Sequence, residues 1–228
     1  MDFASFLLAA PVLLFSMVAH EYAHGYAALK QGDPTAYQLG RLTWNPVKHV
    51  DPFMTVLLPV LTWLGSGGRM MFGGAKPIPV VPGNYRHYRR GDIIVSLAGV
   101  ATNLVLAVLC ALLIVPLGLL GRAAPVAAPT LSILQFMMAY GVSLNLLLVA
   151  FNLLPIPPLD GSHVVKHLLP GKLAIWYESI GRYGLLILML FLTVGRPVLA
   201  QWMAPVGTLS AFALGSVEPY LLPATWRQ

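Results

Sequence analysis

Three side chains near the start of the chain have the types and spacing for hydrolytic chemistry. His20, Glu21 and His24 lie in "MVAHEYAHGYAALKQGD", which runs from Met17 to Asp33. On a helix, His20 and His24 project from one face, one turn apart. Both imidazoles can then reach a single zinc ion at about 2.0–2.1 Å. Glu21 is offset around the helix, placed to act on water at the metal rather than to bind the metal itself. Ionisable groups at membrane depth cost a few kcal/mol on insertion scales, so such a cluster inside an apolar stretch signals function.

A catalytic zinc site takes three protein ligands and keeps a fourth position open. The chain has only eight acids, and two are candidates for the third ligand, Asp160 and Glu178. Asp160 stands in "FNLLPIPPLDGSH", immediately beyond an uncharged span. Glu178 is followed one turn later by Arg182, and an i,i+4 ion pair accounts for it. His163 and His167 repeat the four-residue spacing in "GSHVVKHLLP" without a carboxylate inside it, as an exposed amphipathic helix would. His49 and His87 read as loop residues. Asn145 and Asn152 are seven apart on one helical stripe. Asn145 suits a hydrogen bond between helices, and Asn152, nearer Asp160, suits a catalytic role.

The elements that must position these groups are membrane spans. Of 228 residues, 57% are hydrophobic and 10% charged, against roughly a quarter charged in soluble domains. The mean hydropathy is +0.75. Phe3–Leu29, Ile93–Leu120, Leu131–Leu154 and Trp176–Val194 are long enough to cross a bilayer. Phe53–Leu64 is too short and contains Pro59, so it reads as re-entrant or interfacial. Val198–Val217 is long enough but carries Gln201, Pro205 and Gly207, and its topology stays open. The first span lacks the basic start of a signal peptide and is expected to be retained. Cys110, the single cysteine, excludes an intramolecular disulfide and reads as a packing residue. In the Lys30–Asp92 loop, Ile78 and Val80 alternate among Pro77, Pro79 and Pro82, so an edge strand and a plain extended connector are equally expected.

His24 and Asp160 both fall at C-terminal span ends, and sharing one ion requires those ends on the same membrane face. Ile93–Leu120 supplies the one return crossing, which leaves Phe53–Leu64 non-spanning. Eight of the fourteen Lys and Arg residues lie between Lys30 and Arg90, whereas Gly121–Thr130 has only Arg122. The zinc end therefore reads as cytoplasmic. These basic residues form no helix interleaved with aromatics, so the net charge of +6 gives no sign of nucleic-acid binding.

The order "HEYAH", "SLAGVATN", "NLLPIPPLDG" resembles the site-2 protease family of intramembrane zinc metalloproteases over roughly residues 5–195. The resemblance implies one Zn²⁺ per chain held by His20, His24 and Asp160, with Glu21 as general base. It also implies that Asn152 and Asn103 contact the substrate backbone or the developing oxyanion. Val100 stands where the family usually has proline. The expected fold is an all-α polytopic membrane protein, a single membrane-embedded domain over 1–228. Three transmembrane helices would carry the zinc site, with one or two further C-terminal spans and a small membrane-associated β-hairpin. The expected partners are the lipid bilayer and the transmembrane segment of a membrane protein substrate. An unwound substrate would add to an edge strand at "KPIPVV". Spans two and three lack charged residues, which argues against a zinc transporter, and six histidines are too few for a di-iron oxygenase. The competing class is a zinc-binding pseudo-enzyme with a binding or chaperone-like role.

Overall fold

The computed structural model describes residues 3–65 and 73–224; the stretch of the Lys30–Asp92 loop at 66–72 and the chain's last four residues lie outside it. α1 (Phe3–Gln31) runs 29 residues, about 44 Å at 1.5 Å per residue, enough for the hydrocarbon core. Gly32, with φ +110, ends it. The amide of Gly32 reaches Leu29 O at 3.2 Å and that of Asp33 reaches Ala28 O at 2.9 Å, which together close the last turn in a Schellman motif.

A single turn, α2 (Thr35–Gln38), follows. Asp51 then caps a wide turn, Pro52–Leu57, by accepting from the amides of Phe53 and Met54, and α3 (Leu58–Gly65) continues from it. The two together reach about 21 Å, short of a crossing, in keeping with the non-spanning reading. α4 (Tyr88–Ala123) has 36 residues and α5 (Ala128–Asn152) has 25. Pro155, Pro157 and Pro158 prevent α5 from continuing. α6 (Asp160–Leu168) and α7 (Gly171–Ile180) come next; a 3₁₀ turn at Gly181–Tyr183 leads to α8 (Gly184–Val194), and Pro197 near its start begins α9 (Arg196–Val217).

Among the described residues, five helices are long and apolar enough to cross a membrane: Leu7–Gln31, Tyr88–Ala123, Pro125–Asn152, Gly171–Val194 and Arg196–Tyr220. The last includes the segment whose topology the sequence leaves open. Large apolar side chains such as Leu112, Leu186 and Phe212 point outward, as lipid-facing residues do. The protein is a multi-pass membrane protein.

The chain divides into two compact units, Met17–Gly99 and Met1–Ser16 with Val100–Gln228. In the first, Ala28, Tyr85 and Val95 form a core with Ala27 and Val80 against it. No strand occurs there or elsewhere among the described residues. Of the two alternatives for "KPIPVV", the extended connector is the one observed, and the reason is visible in its donors. Its two prolines, Pro77 and Pro79, have none, and the amides of Ile78 and Val81 go to the carboxylates of Glu21 and Asp33. In the second unit, Ala107, Val142 and Leu146 pack with Cys110, Val206, Ala213 and Leu214. A Cβ at Gly141 would lie 2.7 Å from Cys110 Sγ, so glycine lets α5 approach α4 there.

Candidate metal centre

The helical spacing of α1 brings His20 and His24 together, each 9% exposed, with their Nε2 atoms 3.0 Å apart. His24 Nδ1 lies 2.7 Å from Val95 O. A carbonyl only accepts, so Nδ1 carries the proton and Nε2 of His24 presents a lone pair towards His20. A bond of this kind, from the ring nitrogen that faces away from the metal, usually fixes the orientation of a ligating imidazole. Two ligands at 2.0–2.1 Å on a tetrahedral ion stand about 3.3 Å apart, so the pair is close to what one zinc requires. Gly99 completes this cradle. A Cβ there would lie 2.5 Å from His20 Cε1 and 2.5 Å from His24 Nε2. The donor set and the room beside it fit zinc.

Glu21 is half-buried on the neighbouring stripe of α1, and its Oε2 accepts the Ile78 amide at 2.7 Å. Beyond the helix end, Asp33 is 1% exposed. It accepts from Val81 N at 2.6 Å, Asn84 Nδ2 at 2.9 Å, and both the amide and hydroxyl of Thr35. Burial pushes the Asp33 carboxyl up, but the bonds from Asn84, Thr35 and Val81 outweigh it and hold the group below the usual carboxylate range.

Asp160 is the first residue of α6, where the helix dipole favours a carboxylate. The next residue must be glycine, because a Cβ at Gly161 would run into the carbonyl oxygens of Leu153 and Leu154 as the proline turn folds over it. Glu178 is 62% exposed and pairs with Lys166 Nζ at 3.5 Å, not with Arg182 as the local spacing implies. Arg182 Nε donates to Ser179 O instead. His163 and His167 are half-buried rather than on an exposed helix. His163 and the buried Lys166 help line a cavity of about 200 Å³ with Pro157, Ser162 and Tyr177. His49 is also not a plain loop residue, since it is 1% exposed with Nε2 donating to Thr43 O at 2.8 Å.

The asparagines separate. Asn103 is fully buried, and its Nδ2 donates to Asn145 Oδ1 at 2.7 Å. Asn145 Nδ2 in turn donates to Ser16 Oγ at 3.0 Å and Gly141 O at 2.9 Å, the bond between helices that the sequence suggests for it. Asn152 is half-buried, and its Nδ2 donates to Leu148 O of its own helix at 3.0 Å. Sequence reasoning missed Gly99, Val95 and Ile78 as parts of the site. The small residues of "SLAGVATN" and the proline spacing of "KPIPVVP" were the available signals.

A profile of peptidase family M50 matches residues 116–194. The chain is 40% identical over 182 residues to "Putative zinc metalloprotease YwhC" of Bacillus subtilis (strain 168), covering 79% of this chain and 78% of that one. It is 32% identical over 221 residues to "Putative zinc metalloprotease Rip2" of Mycolicibacterium smegmatis, covering 96% and 78%. The protein of the same name from Mycobacterium tuberculosis is 32% identical over 158 residues, 69% of this chain and 56% of that one. No solved structure matches the chain significantly. With such identity extending over more than three-quarters of a relative, the chain belongs to peptidase family M50, the site-2 protease family of intramembrane zinc metalloproteases.

Proposed function

We propose that this enzyme holds one zinc ion with His20, His24 and Asp160, uses Glu21 as general base, and cleaves peptide bonds in or near transmembrane segments of other membrane proteins. The observation that carries this reading is the imidazole pair, 3.0 Å apart, with one ring's tautomer set by Val95 O. Asp160 is the favoured third ligand because Glu178 is exposed and already serves Lys166.

Zinc, when bound, polarises the scissile carbonyl and makes water a better nucleophile near neutral pH. Glu21 takes the proton from that water and passes it to the leaving amine. Asn152 donates a hydrogen bond to the tetrahedral oxyanion once its amide turns from Leu148 O. Asn103, fully buried against Asn145, is better suited to holding helices than to meeting substrate.

The same reading makes the chain one catalytic domain with a three-helix core drawn from α1, α4 and α5. The face that bears the Lys30–Asp92 loop is cytoplasmic, on the strength of eight of fourteen basic residues falling between Lys30 and Arg90. A membrane helix hides its carbonyls in its own hydrogen bonds, so the substrate must unwind locally before it is cut.

Co-expression with single-span membrane proteins, comparing wild type with Glu21→Gln, tests the function. A product formed only by wild type is expected. Glu21→Gln should keep its zinc and lose hydrolysis by about 10²–10⁴-fold, the usual contribution of an acid–base group. Cleavage by Glu21→Gln at the wild-type rate would remove the general base from the mechanism.

A further inference from the structure

We propose that residues 76–81 form a positioning strap for the general base, with the Ile78 amide holding the Glu21 carboxylate in one orientation. The proposal rests on Glu21 being the base and adds what aims it. In "KPIPVVP", Pro77 and Pro79 have no N–H, so Ile78 carries the one backbone donor of its tripeptide. That donor is spent on Glu21 Oε2, 2.7 Å away.

The strap is fastened on both sides of this bond. Arg41 Nη2 donates to Lys76 O at 3.1 Å and Pro77 O at 3.2 Å. On the other side, Val81 N donates to Asp33 Oδ2 at 2.6 Å. The Ile78 side chain adds a third attachment. It is 6% exposed, and its Cδ1 would lie 2.5 Å from a Cβ at Gly25. Gly25 is one turn beyond Glu21 on the same stripe of α1. Backbone and side chain of one residue thus engage two successive turns of the histidine helix. Held through Oε2, the carboxylate keeps Oε1 to receive the proton from water. An oriented base needs no search for its geometry at the moment of reaction.

Hydrogen exchange at Ile78 tests the bond without any substrate. Between Pro77 and Pro79 it is the only exchangeable amide, so mass spectrometry resolves it unambiguously. In zinc-loaded protein its exchange should be about tenfold or more slower than in Glu21→Ala, as loss of one charge-assisted hydrogen bond implies. Equal rates overturn the proposal.

Kinetics test the consequence, with a synthetic single-span peptide carrying fluorophore and quencher across its apolar segment, in liposomes. Ile78→Pro removes the N–H, while Ile78→Ala keeps it and removes the side chain. Both should retain zinc and share a KM, and Ile78→Pro should have a kcat about tenfold below Ile78→Ala. Matched kcat values, or a faster Ile78→Pro enzyme, overturn the strap and in the second case make it a latch. Glu21→Gln separates the two levels. If it stays active, the general-base reading fails; if it is inactive while the Ile78 variants match, the strap alone fails.

Discussion

Two polar clusters interrupt the apolar helices, and they spend their hydrogen bonds differently. At the asparagine junction, Asn103 donates to Asn145, and Asn145 donates to Ser16 and Gly141 O. Each of these bonds joins a neutral donor to a neutral acceptor. At the histidine pair, two ring nitrogens face each other at 3.0 Å, and Val95 O already accepts the one ring N–H of His24. Two neutral imidazoles can share one proton between those nitrogens, but a cation serves both. Burial of polar groups in a membrane therefore has two meanings. Where neutral donors meet neutral acceptors the cluster knits helices, and where ring nitrogens face each other, as in the proposed zinc site, a cation can be held between them.

Removing ligands should widen that contrast most. His20→Ala, His24→Ala and Asp160→Ala should each lose bound zinc and hydrolysis together, while Glu178→Ala keeps both. Metal analysis of the four purified proteins decides it. Zinc retained by Asp160→Ala and lost from Glu178→Ala would transfer the third ligand to Glu178.

Gly99→Ala comes next, because it leaves every ligand in place and only fills the cradle. The new methyl would press on both rings, which a bound ion holds rigid. Zinc affinity should fall by about 10–100-fold, the range for disturbed ligand support. Competition with a chelator measures it, and unchanged affinity would mean the helices yield at little cost.

Asn145→Ala acts on the other cluster. It removes the acceptor of Asn103 Nδ2 and a donor to Ser16 Oγ. Each buried polar group that loses a partner costs about 1–3 kcal/mol, so thermal stability in detergent should fall clearly while zinc content holds. Zinc lost in proportion to stability would erase the distinction drawn between the clusters.

The sequence makes one cluster far easier to read than the other. His20 and His24 stand out through a local spacing of four, and the scarcity of acids near span ends narrows the proposed third ligand to Asp160 and Glu178. The spans follow from hydropathy, and the short Phe53–Leu64 segment from its length. What escapes is contact between distant residues. Glu21 and Ile78 are 57 positions apart. The hairpin of α6 and α7 gives Glu178 to Lys166, twelve residues back, in place of the local Arg182. Asn103 lies within a motif of the family resemblance, yet its partner Asn145 lies forty-two residues on. A local rule finds a helix face, and only tertiary packing decides which face meets which.

The smallest expected effect belongs to Asp33, which lies past the end of α1 and touches neither cluster. Its carboxyl is held below the usual range by bonds from Asn84, Thr35 and Val81 that exceed the cost of burial. A group with a lowered folded-state pKa adds stability that is complete above its unfolded value and is lost as pH falls through the folded one. Near neutrality, then, the Val81 amide should stay protected, and acidification below the carboxylate range should loosen it. Asp33→Asn keeps one acceptor oxygen but replaces Oδ2, the partner of Val81 N, with a donor. That variant should expose Val81 by about 1 kcal/mol, the low end for an unpaired amide, and show no further acid loosening. Amide exchange at Val81, corrected for the intrinsic pH dependence of exchange, reads both effects. Acid loosening that survives in Asp33→Asn would assign the sensitivity to another group and leave Arg41 and Ile78 as the fastenings that count.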